Sequence, residues 1–221
     1  ASSNKKSTEE LLFLYSPLDI PDVPEAGALD NARLGDKYYF GDGVDVDEAK
    51  ALEYYVDAAD GGNLYAANRV GTFFDNGYGG VDKNVELAFA WYKAGAEKGY
   101  LPSMTNLGYM YEKGRGTDSD PEKAFEWYKR AADAGYSYGM DQVGHAYADG
   151  IGVAPDDDKA IEWLTKAAAE GVPASNWDMG VRYLKGDKVP MDLTKAADMT
   201  YFALVHGTPN SLSSFQELDP N

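Results

Sequence analysis

The apolar positions of this chain follow a helical spacing nested inside a much longer period. Leu34-Gly35 returns as Val70-Gly71, Leu107-Gly108, Val143-Gly144 and Met179-Gly180, with 36, 37, 36 and 36 residues between successive glycines. Three residues after each glycine stands an aromatic: Tyr38, Phe74, Tyr111, Tyr147 and Tyr183. Six residues after it stands a second glycine, Gly41, Gly77, Gly114, Gly150 or Gly186, and a third closes each unit at Gly62, Gly99, Gly135, Gly171 and Gly207. Each unit therefore reads as helix, loop, helix, turn. Glycine inside a helix costs about 1 kcal/mol relative to alanine. Its recurrence calls for a compensating gain, which we expect to be close approach of a neighbouring helix with the tyrosine three residues on laid over the glycine. The second helix carries "ALEYYVDAA", "AFAWYKAGA", "AFEWYKRAA" and "AIEWLTKAA". Its apolar residues, three and four apart, form one buried stripe, with Tyr54, Trp91, Trp127 and Trp163 expected in the core.

The loop between the helices begins "GDGVDVDEAK" in the first unit, and acidic oxygens two residues apart are how calcium loops begin. The other units decide against calcium. The position that persists is Asp47, Asn84, Asp120, Asp156 or Asp192, four residues before the recurring alanine. An aspartate or asparagine there is a helix N-cap. Pro121 suits the first helical position, and Asp157 and Asp158 suit the positive end of the helix dipole. The EF-hand glycine and terminal glutamate are missing, and two histidines, His145 and His206, do not make a histidine metal site. No metal or cofactor is expected.

"GYSYG", Gly135 to Gly139, fits the pattern of a hydrolase nucleophile elbow around Ser137, with Asp141 or Asp149 and His206 following in order. An elbow needs a strand before the serine. Here the segment aligns with the turns "GGNLYA", "GYLPSM" and "GVPASN" of the other units, so Gly135 reads as a helix C-cap and a serine hydrolase as the least favoured function.

Composition narrows the partners. The chain of 221 residues has 37 acidic and 20 basic side chains, a formal charge of −17, and no cysteine. The charge disfavours nucleic acid and anionic lipid and favours a basic partner. "LLFLY", Leu11 to Tyr15, is too short to span a bilayer. The start at "ASSNKKSTEE" does not read as a signal peptide and is compatible with a mature or trimmed N-terminus.

"LGYMYEKGRGTDSDPEKAFEWYKRAADAG", Leu107 to Gly135, and its counterparts resemble the Sel-one-like repeat (SLR) family, a branch of the tetratricopeptide-type α-solenoids. The resemblance implies an all-α, right-handed α-solenoid of five helix-turn-helix units, approximately 28–62, 63–99, 100–135, 136–171 and 172–207. Residues 1–27 would be a capping and linker segment, with "STEELLFLY" as a short helix, and residues 208–221 a cap or tail. The fifth unit departs from the pattern, with Met199 and Thr200 at the aromatic pair and Lys188 at the loop's second glycine. Terminal repeats are commonly atypical because one face meets water.

The resemblance also implies a class of activity: scaffolds, adaptors and other protein-binding modules, many of them secreted or periplasmic in bacteria. Immunity proteins that neutralise antibacterial phospholipase effectors are among them. Cysteine-rich members described as weak β-lactamases are a poor precedent for a chain without cysteine. Such solenoids bind on a concave face lined by the first helix of each unit. The positions two before and one after the glycine, which vary from unit to unit, are the candidate reading surface: Arg33 and Asp36, Arg69 and Thr72, Asn106 and Tyr109, Gln142 and His145, Asp178 and Val181. Tyr65 and Tyr138 would extend it. The expected partner is another protein, and the alternatives are an immunity protein, a spacer without a ligand, and the serine hydrolase.

Overall fold

The computed structural model describes residues 14–17 and 19–207. The expected N-terminal helix over "STEELLFLY" lies largely outside these residues, and the C-terminal cap or tail, 208–221, entirely so. Among the described residues there are ten full-length helices and no strand: α1 (Ala28–Phe40), α2 (Glu48–Asp60), α3 (Leu64–Asn76), α4 (Val85–Glu97), α5 (Leu101–Lys113), α6 (Pro121–Asp133), α7 (Ser137–Asp149), α8 (Asp157–Ala169), α9 (Pro173–Lys185) and α10 (Leu193–His206). The chain forms two compact units, 1–120 and 121–221. Within the first, α1 packs on α2, α2 on α3, α3 on α4 and α4 on α5; within the second, α6 through α10 pack in sequence in the same way. The architecture is an all-α solenoid of repeats.

The helix starts obey local chemistry. The side chains of Asp47, Asn84, Asp156 and Asp192 accept hydrogen bonds from the backbone N–H three residues on, at 2.9–3.0 Å. Pro121 is the first residue of α6, and Asp157 and Asp158 occupy the first turn of α8. Gly41, Gly77, Gly114, Gly150 and Gly186 end the first helices in the left-handed conformation that favours glycine. Gly135 has φ 88°, as a turn between helices requires, whereas Gly207 is extended at φ −81°.

The recurring helix glycine is a point of close approach, but the ring that covers it differs from expectation. A Cβ on Gly35 would lie 2.6 Å from the Tyr55 ring, and one on Gly71 would lie 2.7 Å from Tyr92. Leu164 fills that place against Gly144, and Thr200 against Gly180. The covering residue is thus the second of the aromatic pair, contributed by the second helix. The tyrosine three residues after the glycine faces elsewhere: Tyr38 stacks on Tyr54 at 5.7 Å, and Tyr111 and Tyr147 meet Phe89 and Phe125 edge-on at 5.4 Å. The core assignment shifts with it. Tyr55, Tyr92, Tyr128 and Leu164 are buried, while Tyr54, Trp127 and Trp163 are partly exposed. One residue along a helix is a turn of about 100°, enough to exchange core for rim.

The loops dock on the preceding repeat. A Cβ on Gly116 would lie 2.3 Å from the carbonyl oxygen of Val85, and one on Gly152 would lie 1.9 Å from that of Pro121. In the fifth repeat the equivalent residue is Lys188, which keeps the left-handed backbone at φ 60° and pairs its ammonium with Asp157 at 3.1 Å. The one-residue longer loop of the second repeat places Gly80, at φ 76°, with open space where a Cβ would stand.

Trp91 is the exception among the first-position aromatics, being fully buried. An N-terminal strap, residues 14–17 and 19–25, covers it. Trp91 Nε1 donates to the Tyr15 carbonyl at 2.7 Å, and the Tyr15 ring lies 5.4 Å from Phe74. Ile20 is buried, Lys98 pairs with Asp22 at 2.6 Å, and Glu25 N–H donates to Gly61 O at 2.7 Å.

Candidate protein-binding surface

The first helices carry the candidate residues, and the structure engages most of them between neighbouring repeats. Asp36 on α1 accepts hydrogen bonds from the hydroxyls of Tyr55 at 2.7 Å and Tyr65 at 2.5 Å. Burial, reinforced by this carboxylate, pushes the Tyr65 phenol up to about 12 and raises Tyr55 likewise, so both stay protonated donors. The Arg69 guanidinium lies 4.4 Å from the centre of the Tyr39 ring and 5.4 Å from that of Tyr55, with Nε and Nη2 buried without an acceptor. Arg69 is thus held by aromatic faces rather than by a carboxylate.

The next junction is neutral. Asn68 Oδ1 accepts from Asn106 Nδ2 at 2.9 Å and from Ser103 Oγ at 3.0 Å. Thr72 donates to the Asn68 carbonyl at 3.1 Å and accepts from the Tyr92 hydroxyl at 3.4 Å. Arg115 pairs with Asp75 beside them, and its guanidinium lies 5.8 Å from the Tyr109 ring centre. Tyr109 itself is 41% exposed.

In the second compact unit the corresponding junction is ionic. His145 Nε2 donates to Asp178 Oδ2 at 2.7 Å, and Nδ1 donates to the Asp141 backbone carbonyl at 2.9 Å, with Asp141 Oδ2 at 3.5 Å. Asp141 accepts further from Ser175 at 2.5 Å and Gln142 at 3.0 Å. The hydrogen bonds and charges of Asp141 and Asp178 push the His145 imidazole up to about 11, so it is a fixed cation at neutral pH. Burial works to raise the Asp141 carboxyl, but His145, Ser175 and Gln142 together hold it below its usual value. A histidine that stays protonated is a poor general base.

Among the remaining candidates, Arg33 is exposed and lies 3.5 Å from Asp30, and Val181 is partly exposed. Tyr138 is 52% exposed, its ring 5.7 Å from that of Tyr136. The structure therefore joins His145 to Asp178 directly, joins Asn106 and Thr72 through Asn68, and joins Asp36 and Arg69 through the Tyr55 ring. Asn68, Asp141, Ser103 and Ser175 complete these junctions and were not singled out as binding residues. Their signal was polar residues three and five before the glycine, on a helix side otherwise apolar.

Gly135 and Tyr136 of the "GYSYG" segment lie in the turn between α6 and α7, and its last three residues begin α7. Ser137 is the first residue of α7, and no strand precedes it. Gly139 is present because α7 crosses α6 closely; a Cβ there would lie 2.7 Å from Ala132 N. Asp141 is committed to Ser175 and His145, and His206 packs on Phe202 at 4.4 Å. Among the described residues no group of three or more His, Asp or Glu side chains is arranged to hold a metal ion, and no helix is long and apolar enough to cross a membrane.

Comparison with known proteins bears on the whole length of the repeats. The chain is similar to a Sel1 repeat protein from Oxalobacter formigenes, at 26% identity and TM-score 0.75, over 84% of this chain and 73% of that one. It is similar to a protective antigen of uropathogenic Escherichia coli with an SLR fold, at 26% identity and TM-score 0.69, over 86% of this chain but 41% of the other. An immunity protein from Pseudomonas aeruginosa shares the fold at 18% identity and TM-score 0.61, over 84% of this chain and 67% of that one. Comparison with the curated proteins finds no match. The Sel1 repeat pattern matches residues 30–63, 64–100, 101–136, 137–172 and 173–199, and the chain belongs to the Sel1 repeat family, whose repeats mediate protein–protein interaction.

Proposed function

We propose that this protein is a non-catalytic scaffold or adaptor that captures another protein through its first helices, with Tyr109 as an anchoring side chain of the first compact unit and Tyr138 as one of the second. One observation carries the reading. Within each compact unit, polar residues of the first helices bond to one another between repeats, and one tyrosine, Tyr109 in the first unit and Tyr138 in the second, is left exposed. Exposed tyrosines on rigid supports are how many interfaces obtain affinity at low entropic cost. Arg33, exposed at the start of the row, is a further contact, and Asp36, Arg69, Thr72, Asn106, Gln142, His145 and Asp178 shape the surface that presents them.

Affinity capture from the native extract tests the assignment. Wild type should retain one stoichiometric protein, and Tyr109→Ala with Tyr138→Ala should lose it while keeping the native circular dichroism. Equal capture by the double variant refutes the assigned face.

A second reading is an immunity protein of a bacterial periplasm or secreted fraction, favoured by the charge of −17 and by the fold shared with the Pseudomonas aeruginosa immunity protein. Co-expression should then rescue cells from a toxin encoded beside it. Survival unchanged by co-expression with every adjacent toxin counts against this reading.

A further inference from the structure

The N-terminal strap points to a second binding surface, formed by Phe74 of α3 and by α4 and distinct from the α3 positions Arg69 and Thr72. The second repeat departs from the others at the strap's seat. The aromatic three after the repeat glycine is Phe74, where the other four repeats have tyrosine. The third residue after the cap is Leu87, where the others have Lys50, Lys123, Lys159 and Lys195. In the first repeat that lysine closes over its tyrosine, Lys50 Nζ donating to the Tyr38 hydroxyl at 2.8 Å. In the second, Phe74 and Leu87 are fully buried, and Trp91 turns its indole N–H to a backbone carbonyl of the strap. An indole N–H that reads a main-chain carbonyl, a ring beside an apolar wall and a lysine at the end together recognise a peptide that leaves a helical turn at Leu14 and Tyr15 and runs on without helix.

The strap occupies this seat lightly. Leu14 and Val23 are exposed, and the carboxylates of Asp19 and Asp22 that face Lys98 are almost wholly in water. Open depressions of about 340 and 300 Å³ flank it, one beside Pro21, Pro24 and Tyr65, the other beside Pro17, Ile20 and Ala94. Exposed ion pairs contribute little, so Tyr15, Ile20 and the hydrogen bonds from Trp91 to the Tyr15 carbonyl and from Glu25 N–H to Gly61 provide most of the hold.

We propose that the Phe74–Leu87–Trp91–Lys98 seat is a docking groove for a segment of a partner protein, and that the strap is its built-in, displaceable occupant. The segment recognised has the strap's chemistry: an aromatic residue whose carbonyl accepts from Trp91, a carboxylate four residues on, an aliphatic side chain at five and a second carboxylate at seven. The strap competes from within the same chain at an effective concentration on the order of millimolar, so it sets a threshold that a partner segment must exceed.

The test uses the full chain and the fluorescein-labelled peptide LYSPLDIPDVPEAG, residues 14–27. Fluorescence anisotropy should show binding at least about tenfold tighter to the Tyr15→Ser, Ile20→Ser, Asp22→Ser variant than to wild type, as loss of the internal competitor requires. Adding Trp91→Phe to that variant, which keeps a ring and removes the donor, should weaken binding several-fold, as loss of a hydrogen bond would. Light scattering should find the variant monomeric. Equal affinity in both forms, insensitivity to Trp91→Phe, or a dimer in which a second copy's strap fills the groove overturns the proposal. If the strap variant does not fold, hydrogen exchange on wild type decides. Saturating peptide should deprotect residues 14–25 while α4 stays protected, and unchanged protection overturns the proposal.

Discussion

Single residues in this protein are fixed by contacts that leave almost no latitude, and their substitutions should show it. Gly152 combines a left-handed backbone with a site where a Cβ would meet the Pro121 carbonyl at 1.9 Å. Gly152→Ala should cost at least about 2 kcal/mol, because the backbone strain alone is worth about 1–2 kcal/mol and the clash adds to it. Lys188→Gly at the equivalent position should instead stabilise by about 1 kcal/mol, since it relieves that strain at the loss of an exposed ion pair. Urea titration of both variants checks the pair of signs. His145 gives a pH signature. Its folded pKa lies above the unfolded value, so its contribution is complete below about 6.5 and is lost as pH rises toward about 11. Stability of the wild type should therefore fall across pH 7–10 more steeply than that of His145→Gln, as followed by thermal melts.

Helices and loops show where local sequence sufficed and where it did not. The caps at Asp47, Asn84, Asp156 and Asp192 were readable because the donor lies three residues from the acceptor. Asp156→Ala should accordingly cost about 1 kcal/mol by the same urea measurement. The glycine contacts were readable as a need for close approach. The identity of the covering ring was not, because Tyr54 and Tyr55 differ only in the rotation of α2, which packing against α1 and α3 decides. Residues 1–27 were readable as a capping and linker segment, but the seat of the strap was not, since Trp91 and Tyr15 are 76 residues apart. Phe74 and Leu87 were its trace, two apolar substitutions that local structure does not require. For the surface, periodicity located the row of first helices. It did not reveal that Asp36, Asn106 and His145 spend their hydrogen bonds on neighbouring repeats, because that depends on how adjacent helices meet.

Across the whole molecule, two features govern behaviour. Within each compact unit helices contact sequential neighbours, so its stability is a sum of local and nearest-neighbour contributions. Destabilising the second compact unit with Gly152→Ala should populate, in intermediate urea, a state in which residues 19–120 keep their amide protection and residues 121–207 lose it. Hydrogen exchange read by mass spectrometry would show a single cooperative loss if this expectation is wrong. The charge of −17 gives the second feature. Association with a basic partner should slow by at least about tenfold between 50 and 500 mM salt, with a smaller change in dissociation, as surface plasmon resonance would resolve.

The longer loop of the second repeat offers a practical opening. Where Gly116 and Gly152 press their backbones onto a neighbouring helix, Gly80 faces open space. Foreign sequence spliced in at Gly80, an epitope or a small reporter domain, should leave the stacking of repeats untouched, whereas the same graft at Gly152 should not express as folded protein.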